Sequence, residues 1–548
     1  MIYDVIVVGG GISGLMAAIE AKTKTNKVAV ITKGNLFRSN SALASGGINA
    51  VLDPKDKVGI DQHVKDTIKG TYGLGDKKAI FYMCNRANKV IKKLESYGVE
   101  FDKDEDEKIA QRSFGGGSIK RTCYVEDKTG SAIMQVLIKK AKSEGVTFLV
   151  NTFIMNLTKL NGRVSGVVAL RRFDSSVVVY PAKSIVLAGG GYAGIYRGYS
   201  TNAGDYTGDM HAIALRAGLN LKDMEFVQFH PTGFKKTSYL VSEAARGEGG
   251  YLINSDGERF INELERRDIV SCAIAKQIAA GQEVFIDLRH LPLKQIETKL
   301  PSLQKAALMQ AGVDVSKELL PIKPVAHYSM GGIDANLCKT GLKGLFVCGE
   351  CSTTGVHGAN RLGGNSLLEG VVFGELAGKE AVKFSQHKEF LPIDYNIVVQ
   401  NVKLVDYIFQ GETTKNFNAM RVNLGNTMFE YAGIYRDQKR LEKAYDYVRY
   451  LRGEASTLHC IDKDRRNNVE LVSILELKNA LEVSEAVVLS ALKRKESRGA
   501  HSRVDYPVSN PKLKKSILTN EIRRSQYKIW YEDSNFMSKF KKTFTNVT

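Results

Sequence analysis

The sequence predicts an α/β protein: one sheet domain split by an inserted α+β domain and followed by a helical domain. Three observations predict it. A β-branched run, IYDVIVV at 2–8, ends in a glycine turn. Two further strand-to-glycine junctions recur far along the chain: KSIVLA (183–188) before Gly189-Gly190-Gly191, and KGLFVC (343–348) before Gly349-Glu350. From about residue 390 the pattern turns helical. Sheet features in separated stretches imply one domain interrupted by a large insertion, which divides the chain into 1–234, 235–340, 341–388 and 389–548.

In order along the chain, residues 13–24 have the spacing of a short helix and 27–32 (KVAVIT) read as a second strand. Between the first strand and that helix lies Gly9-x-Gly11-x-x-Gly14. This is the glycine spacing of a phosphate-binding turn. The first glycine permits the turn, the second lets the backbone approach a pyrophosphate, and the third lets helix and strand pack closely. An acidic residue is expected at the end of the second strand to hold ribose hydroxyls, but Thr32-Lys33 stands there instead. Glu350, after the late strand, is a candidate ribose or adenylate contact. A long helix begins near Asn365 and Ser366, with its positive end available to a developing negative charge. The segments RLEKAYDYVRYLRG and LELKNALEVSEAVVLSALKRKESRG carry the helical pattern of the last domain, and the Lys-rich end reads as a poorly ordered basic tail.

The 548 residues carry a net charge of +19. Lysines are spread throughout, with no arginine-rich arm or RNA-binding signature, so a nucleic-acid partner has no support. A basic surface attracts acidic small molecules and acidic proteins. No window holds about eighteen uninterrupted apolar residues. The strand pattern starts almost at Met1, leaving no room for a signal peptide, and a cytoplasmic location is expected. The 7 cysteines are odd in number and scattered, which argues against a disulfide framework. The lone pair Cys348-x-x-Cys351 reads as two core thiols beside a glycine turn. No metal site is expected, and no iron–sulfur cluster, since clusters need about four thiolates.

Five polar clusters lie in and around the insertion: FVQFHPTG (226–233), SEAARGEGG (242–250), NELERRDIVS (262–271), AHYSMGGI (326–333) and HGANRLGGNSLLEG (357–370). Each sets His or Arg among small residues. The guanidinium fork matches a carboxylate and imidazole donates a hydrogen bond, so together they suit a small dicarboxylate. These motifs, with QRSFGGGSIKRTCYVEDKTG (111–130) and RKESRGAHSRVDYP (494–507), resemble those of the succinate dehydrogenase and fumarate reductase flavoproteins, a family that includes the L-aspartate oxidases. The resemblance runs from Met1 to about Pro507.

The resemblance implies a split Rossmann-like FAD-binding domain, an inserted α+β capping domain and a C-terminal helical domain. It implies that His230, Ser242, His327 and Arg361 hold the substrate carboxylates beside Phe114, with Ser242 where the family often has Thr. Arg267 matches the arginine that moves the substrate proton, and Glu243 and Arg246 match its relay to solvent. The cofactor positions it implies are Gly9, Gly11, Gly14, Thr32, Lys33, Ser39, Gly46, Gly47, Gly189, Asp209, Glu350, Asn365, Ser366 and Leu367. The reaction implied is fumarate–succinate interconversion, with a hydride exchanged at flavin N5 and a proton at Arg267.

Many relatives attach FAD through the His of an R-S-H-T stretch. This chain reads Arg38-Ser39-Asn40-Ser41, so non-covalent FAD is expected. Loss of that link lowers the flavin potential and favours fumarate reduction or aspartate oxidation. The alternative function is therefore L-aspartate oxidase. Aspartate oxidases resemble one another in a Glu within the region that here reads Ser113-Phe114-Gly115-Gly116, and Phe114 offers an ammonium no partner. RGAHSR (498–503) points to the succinate and fumarate branch as well. The partners this implies are a C4 dicarboxylate, an iron–sulfur subunit and a membrane-anchor subunit, which would hold the chain at the inner face of the cell membrane.

Overall fold

The computed structural model describes residues 1–204, 206–523 and 526–532. The strand Tyr3–Val8 is the middle of a parallel sheet. Val28–Ile31 pairs with it on one side and Ser176–Leu187 on the other, with Thr147–Leu149 beyond the first and Leu345–Val347 beside the second. Val5, Ile6, Val7 and the whole of Val28–Ile31 are buried. Burial on both faces explains the unbroken β-branched runs. The three strand-to-glycine junctions of the sequence therefore meet in one sheet: Val8, Leu187 and Val347 end side by side. The helix Ile12–Lys22 leaves the first junction and Asn365–Gln386 follows the third.

Ser176–Leu187 is longer than its sequence signal. Its first half pairs with Arg163–Arg171, which pairs with Thr152–Leu160, forming an antiparallel meander that runs into the parallel sheet.

Between the second and third junctions stands a four-stranded antiparallel sheet, ordered Val227–Phe234, Leu320–Ser329, Val284–Asp287, Tyr251–Asn254. Its helices Arg267–Ala279, Leu293–Lys299 and Pro301–Ala311 enclose a separate apolar core that includes Leu252, Ile274 and Ile322.

Four helices then follow: Tyr395–Gln410, Phe417–Ala432, Gln438–Ser456 and Val469–Lys493. Each has an Asp or Asn cap (Asp394, Asn416, Asp437, Asn468) whose side chain accepts a backbone N–H of the first turn. Those caps are readable in sequence. After them the helical pattern gives way to strands. Ile517–Arg523 and Gln526–Tyr531 form a hairpin, and the first of these strands pairs with Leu221–Lys222. Alternation in QYKIWY is the signal for this strand, and it was masked by the lysine-rich composition around it. Residues 533–548 of the expected tail lie outside the described residues. Among the described residues no helix is long and apolar enough to cross a membrane.

Candidate active site

A cavity of about 850 Å³ runs from the glycine turn to the four-stranded sheet. At one end the turn shows why glycine is required. Gly9 has φ +110°, and a Cβ there would lie 2.1 Å from the carbonyl oxygen of Ala188. A Cβ on Gly14 would lie 2.0 Å from the carbonyl oxygen of Gly9. The turn is thereby pressed against the second junction, with the N-terminus of Ile12–Lys22 beside the cavity, where it suits phosphate.

Gly9, Gly11, Thr32, Lys33, Ser39, Gly46, Gly47, Gly189, Asp209, Glu350, Ser366 and Leu367 line this cavity. Gly14, Arg246 and Asn365 are not among its lining residues. Gly14 serves the helix contact. Asn365 is fully buried at the start of its helix, where its carbonyl oxygen accepts from Asn49 Nδ2 at 2.9 Å and its amide donates to Thr67 Oγ1 at 3.0 Å. Glu350 accepts from the backbone N–H of Ser329 at 3.0 Å and from its hydroxyl at 3.1 Å. Burial pushes the Glu350 carboxyl up to about 7. Asn40 also lines the cavity, and its Nδ2 donates to Asn202 Oδ1 at 2.6 Å. Cys348 and Cys351 are buried, unbridged thiols, and burial pushes Cys351 up to about 12.

The other end is built by the inserted sheet and its helices. His230, Ser242, Glu243, Arg267, His327, Arg361 and Phe114 all face the same cavity. Two interruptions of the strand pairing set the histidines. Gln228 pairs with Tyr328 and Phe229 with Ala326, so His327 is an extra residue between them. A second register shift separates His230 from Gly233. Such bulges re-aim side chains, and here the two imidazole rings come to 5.0 Å. His230 Nδ1 lies 3.2 Å from the backbone N of Thr232 and 3.3 Å from its carbonyl oxygen, so Thr232 fixes the orientation of the ring. His327 Nδ1 meets Thr201 Oγ1 at 2.8 Å. Burial, then the charge of Arg267, holds both histidines well below the usual histidine range, so both are neutral.

Arg267 opens the helix Arg267–Ala279. Its Nε donates to Glu243 Oε2 at 2.8 Å, and its Nη2 donates to the same oxygen. Glu243 Oε1 accepts the backbone N–H of Gly115 at 2.7 Å and lies 3.8 Å from Arg246 Nη2. Burial alone raises the Glu243 carboxyl, but Arg267 and Arg246 outweigh it and hold it below its ordinary value. Arg246 is fully enclosed behind the cavity wall, its Nη1 on the carbonyl oxygen of Glu263, its Nε and Nη2 without hydrogen-bond partners among the described residues. Arg361 donates to Ser366 Oγ at 2.8 Å and to Gln228 Oε1 at 3.1 Å. Burial and the nearby Arg267 bring it down to about 10, which leaves it charged near pH 7.

Gln228 was not singled out in the sequence, although it lies in the FVQFHPTG cluster. Its Oε1 accepts from both Arg267, at 3.2 Å, and Arg361, at 3.1 Å. Its Nε2 donates to Asn360 Oδ1 and to the Arg361 carbonyl, each at 2.8 Å. One amide thus spaces two guanidiniums. Gly115 and Asn360 were likewise inside quoted motifs without assigned roles. The buried guanidiniums of Arg267 and Arg361 line the cavity, with Arg246 behind its wall, and guanidinium forks of this kind match carboxylates.

Residues 4–367 match the FAD binding domain family, and residues 421–545 match the fumarate reductase flavoprotein C-terminal family. The succinate dehydrogenase flavoprotein subunit of Rickettsia bellii is 40% identical over 550 residues, covering 93% of this chain and 91% of that protein. The chain belongs to the succinate dehydrogenase and fumarate reductase flavoprotein family. Solved members share the fold: a FrdA variant of E. coli quinol fumarate reductase superimposes with TM-score 0.92 at 33% identity over 97% of both chains. Mycobacterium smegmatis Sdh1 superimposes with TM-score 0.86 at 31% identity over 99% of this chain and 97% of that one. A flavoprotein of this family is an oxidoreductase acting on CH–CH groups, and the family match supports FAD as its cofactor. The residues fit that group: the Gly9–Gly14 cradle suits its pyrophosphate, and the cavity continues to the Arg267 cluster.

Proposed function

We propose that this flavoprotein interconverts fumarate and succinate, and that fumarate reduction is the favoured direction. The observation that carries the reading is the Arg267–Glu243 pair set among His230, His327 and Arg361 on one cavity wall. Arg361, His230, His327 and the Ser242 hydroxyl grip the two substrate carboxylates. Their grip twists and polarises the dicarboxylate, which favours the transition state over the ground state. Arg267 gives or takes the proton at one substrate carbon, and Glu243 and Arg246 return it to solvent. Such a role for a guanidinium needs a desolvated, pre-arranged site, and Arg267 is 6% exposed. Bound FAD supplies hydride exchange at the other substrate carbon.

FAD is held without a covalent link, because Asn40 replaces the histidine that forms it and is tied instead to Asn202. The electrons pass to or from an iron–sulfur subunit, and a membrane-anchor subunit completes the assembly at the inner face of the membrane. The names of the solved relatives support this reading, one being a quinol fumarate reductase. L-Aspartate finds no carboxylate at Phe114, whose ring packs over Gly46 and Gly363.

The test is anaerobic. Fumarate reoxidises the chemically reduced, FAD-loaded chain promptly, and L-aspartate fails to bleach the oxidised form. Bleaching by L-aspartate would overturn the reading.

A further inference from the structure

The far end of the cavity is closed by a different domain. The helix Val469–Lys493 reaches the end of the second strand, where Lys33 Nζ lies 2.7 Å from Asp209 Oδ2 and 2.9 Å from Glu476 Oε1. One turn further, Asn479 Nδ2 donates to Asp209 Oδ1 at 2.8 Å. Arg421, from the neighbouring helix Phe417–Ala432, approaches Glu476 Oε2 at 3.4 Å and donates to the carbonyl of Gly204. Val472, Ser473, Glu476 and Arg421 line the same cavity as Gly9 and Thr32.

In a dinucleotide fold the ribose next to the pyrophosphate donates its hydroxyls to an acid at the end of the second strand. Thr32-Lys33 leaves that place without a carboxylate, and a lysine ammonium has no lone pair with which to accept. Lys33 instead draws two carboxylates to the spot. Both oxygens of Asp209 are engaged: Oδ1 by Asn479 and by Thr207 Oγ1 at 3.0 Å, Oδ2 by Lys33. Glu476 Oε2, with Arg421 at the longer 3.4 Å, is the least engaged of the four oxygens.

We infer that Glu476 supplies, from the C-terminal domain, the acceptor for the adenosine ribose hydroxyls that the second strand lacks, so that the C-terminal helix is part of the FAD site. This rests on FAD as the cofactor and not on the dicarboxylate reading. The fold of the sheet domain alone would then hold the pyrophosphate but recognise the ribose poorly.

The experiment measures binding of ADP and of 2′,3′-dideoxy-ADP to the full chain before flavin loading. The wild type binds ADP about tenfold more tightly, as loss of a charge-assisted hydrogen bond requires. Glu476→Ala binds the two within twofold, and Glu476→Gln falls between. A purely structural ion-pair role lowers both affinities together and leaves the tenfold preference, which would overturn the inference, as would a wild type with no preference. If Glu476→Ala does not fold, Glu476→Gln decides: a preference reduced at least threefold supports the assignment and an unchanged one overturns it. A wild type with the ADP preference but no reaction with fumarate would sink the dicarboxylate reading and leave this one standing.

Discussion

Arg267 places both Nε and Nη2 on a single oxygen of Glu243, while the other oxygen of that carboxylate is held by the Gly115 amide and faces Arg246. The arginine is thus anchored from behind, with Nη1 donating to Gln228 Oε1. Replacing Glu243 by Gln removes the anion that fixes Arg267. Fumarate turnover is expected to fall by about 10²–10⁴-fold, the usual range for losing a positioned proton-transfer group. Steady-state rates with a reduced viologen donor check this. A loss under tenfold would contradict the relay.

Gln228 gives one carbonyl oxygen to two guanidiniums. Gln228→Leu leaves both without that acceptor, a buried loss of about 1–3 kcal/mol. The expected result is a fall in kcat/KM for fumarate of roughly 10- to 100-fold. FAD content should be unchanged, because Gln228 is not among the residues lining the cavity.

His230 and His327 are neutral because burial and Arg267 hold them far below the usual range. KM for fumarate should therefore show no histidine step between pH 6 and 8. A KM that rises through a transition near pH 6.5 would mean a protonated imidazole grips the substrate.

Glu350 gives a stability signature. Burial raises its carboxyl to about 7 from an ordinary 4.5, so the folded chain holds a proton there that the unfolded chain releases between those values. Its contribution to stability is full below about pH 4.5 and lost as pH rises through about 7. Glu350→Gln keeps the neutral form at every pH. The Tm of the flavin-free variant should gain on the wild type from pH 5 to pH 8, by an amount equivalent to at most roughly 3 kcal/mol. A constant difference would place the ordinary carboxyl in this site.

The cofactor linkage is checked directly. Acid precipitation should release all flavin into the supernatant, since Asn40 forms no bond to it. Yellow, fluorescent protein in the pellet would contradict that expectation.

Much of the fold was legible because its signals are local. The glycine turn and the three strand-to-glycine junctions each declare themselves within a few residues. The site residues were legible as clusters, since His230, Ser242, Arg267, His327 and Arg361 each lie in an unusual motif. What stayed hidden depends on distant pairing. The bulges that turn His230 and His327 together exist only once Val227–Phe234 meets Leu320–Ser329. Gln228 reads as an ordinary strand residue until two arginines converge on it. The hairpin strand Ile517–Arg523 gains its place from Leu221–Lys222, almost three hundred residues earlier. The approach of Glu476 to Lys33 joins the two ends of the chain, and no local pattern announces it.

Whether Arg267 moves the substrate proton is tested by stopped-flow reoxidation of the reduced holoenzyme by fumarate, comparing wild type with Arg267→Lys. A lysine keeps the charge but loses the fork that seats on Glu243. Reoxidation should be prompt in the wild type and at least about 10²-fold slower in the variant, with FAD content unchanged. Equal rates in the two proteins, or a wild type that fumarate does not reoxidise, would contradict that role.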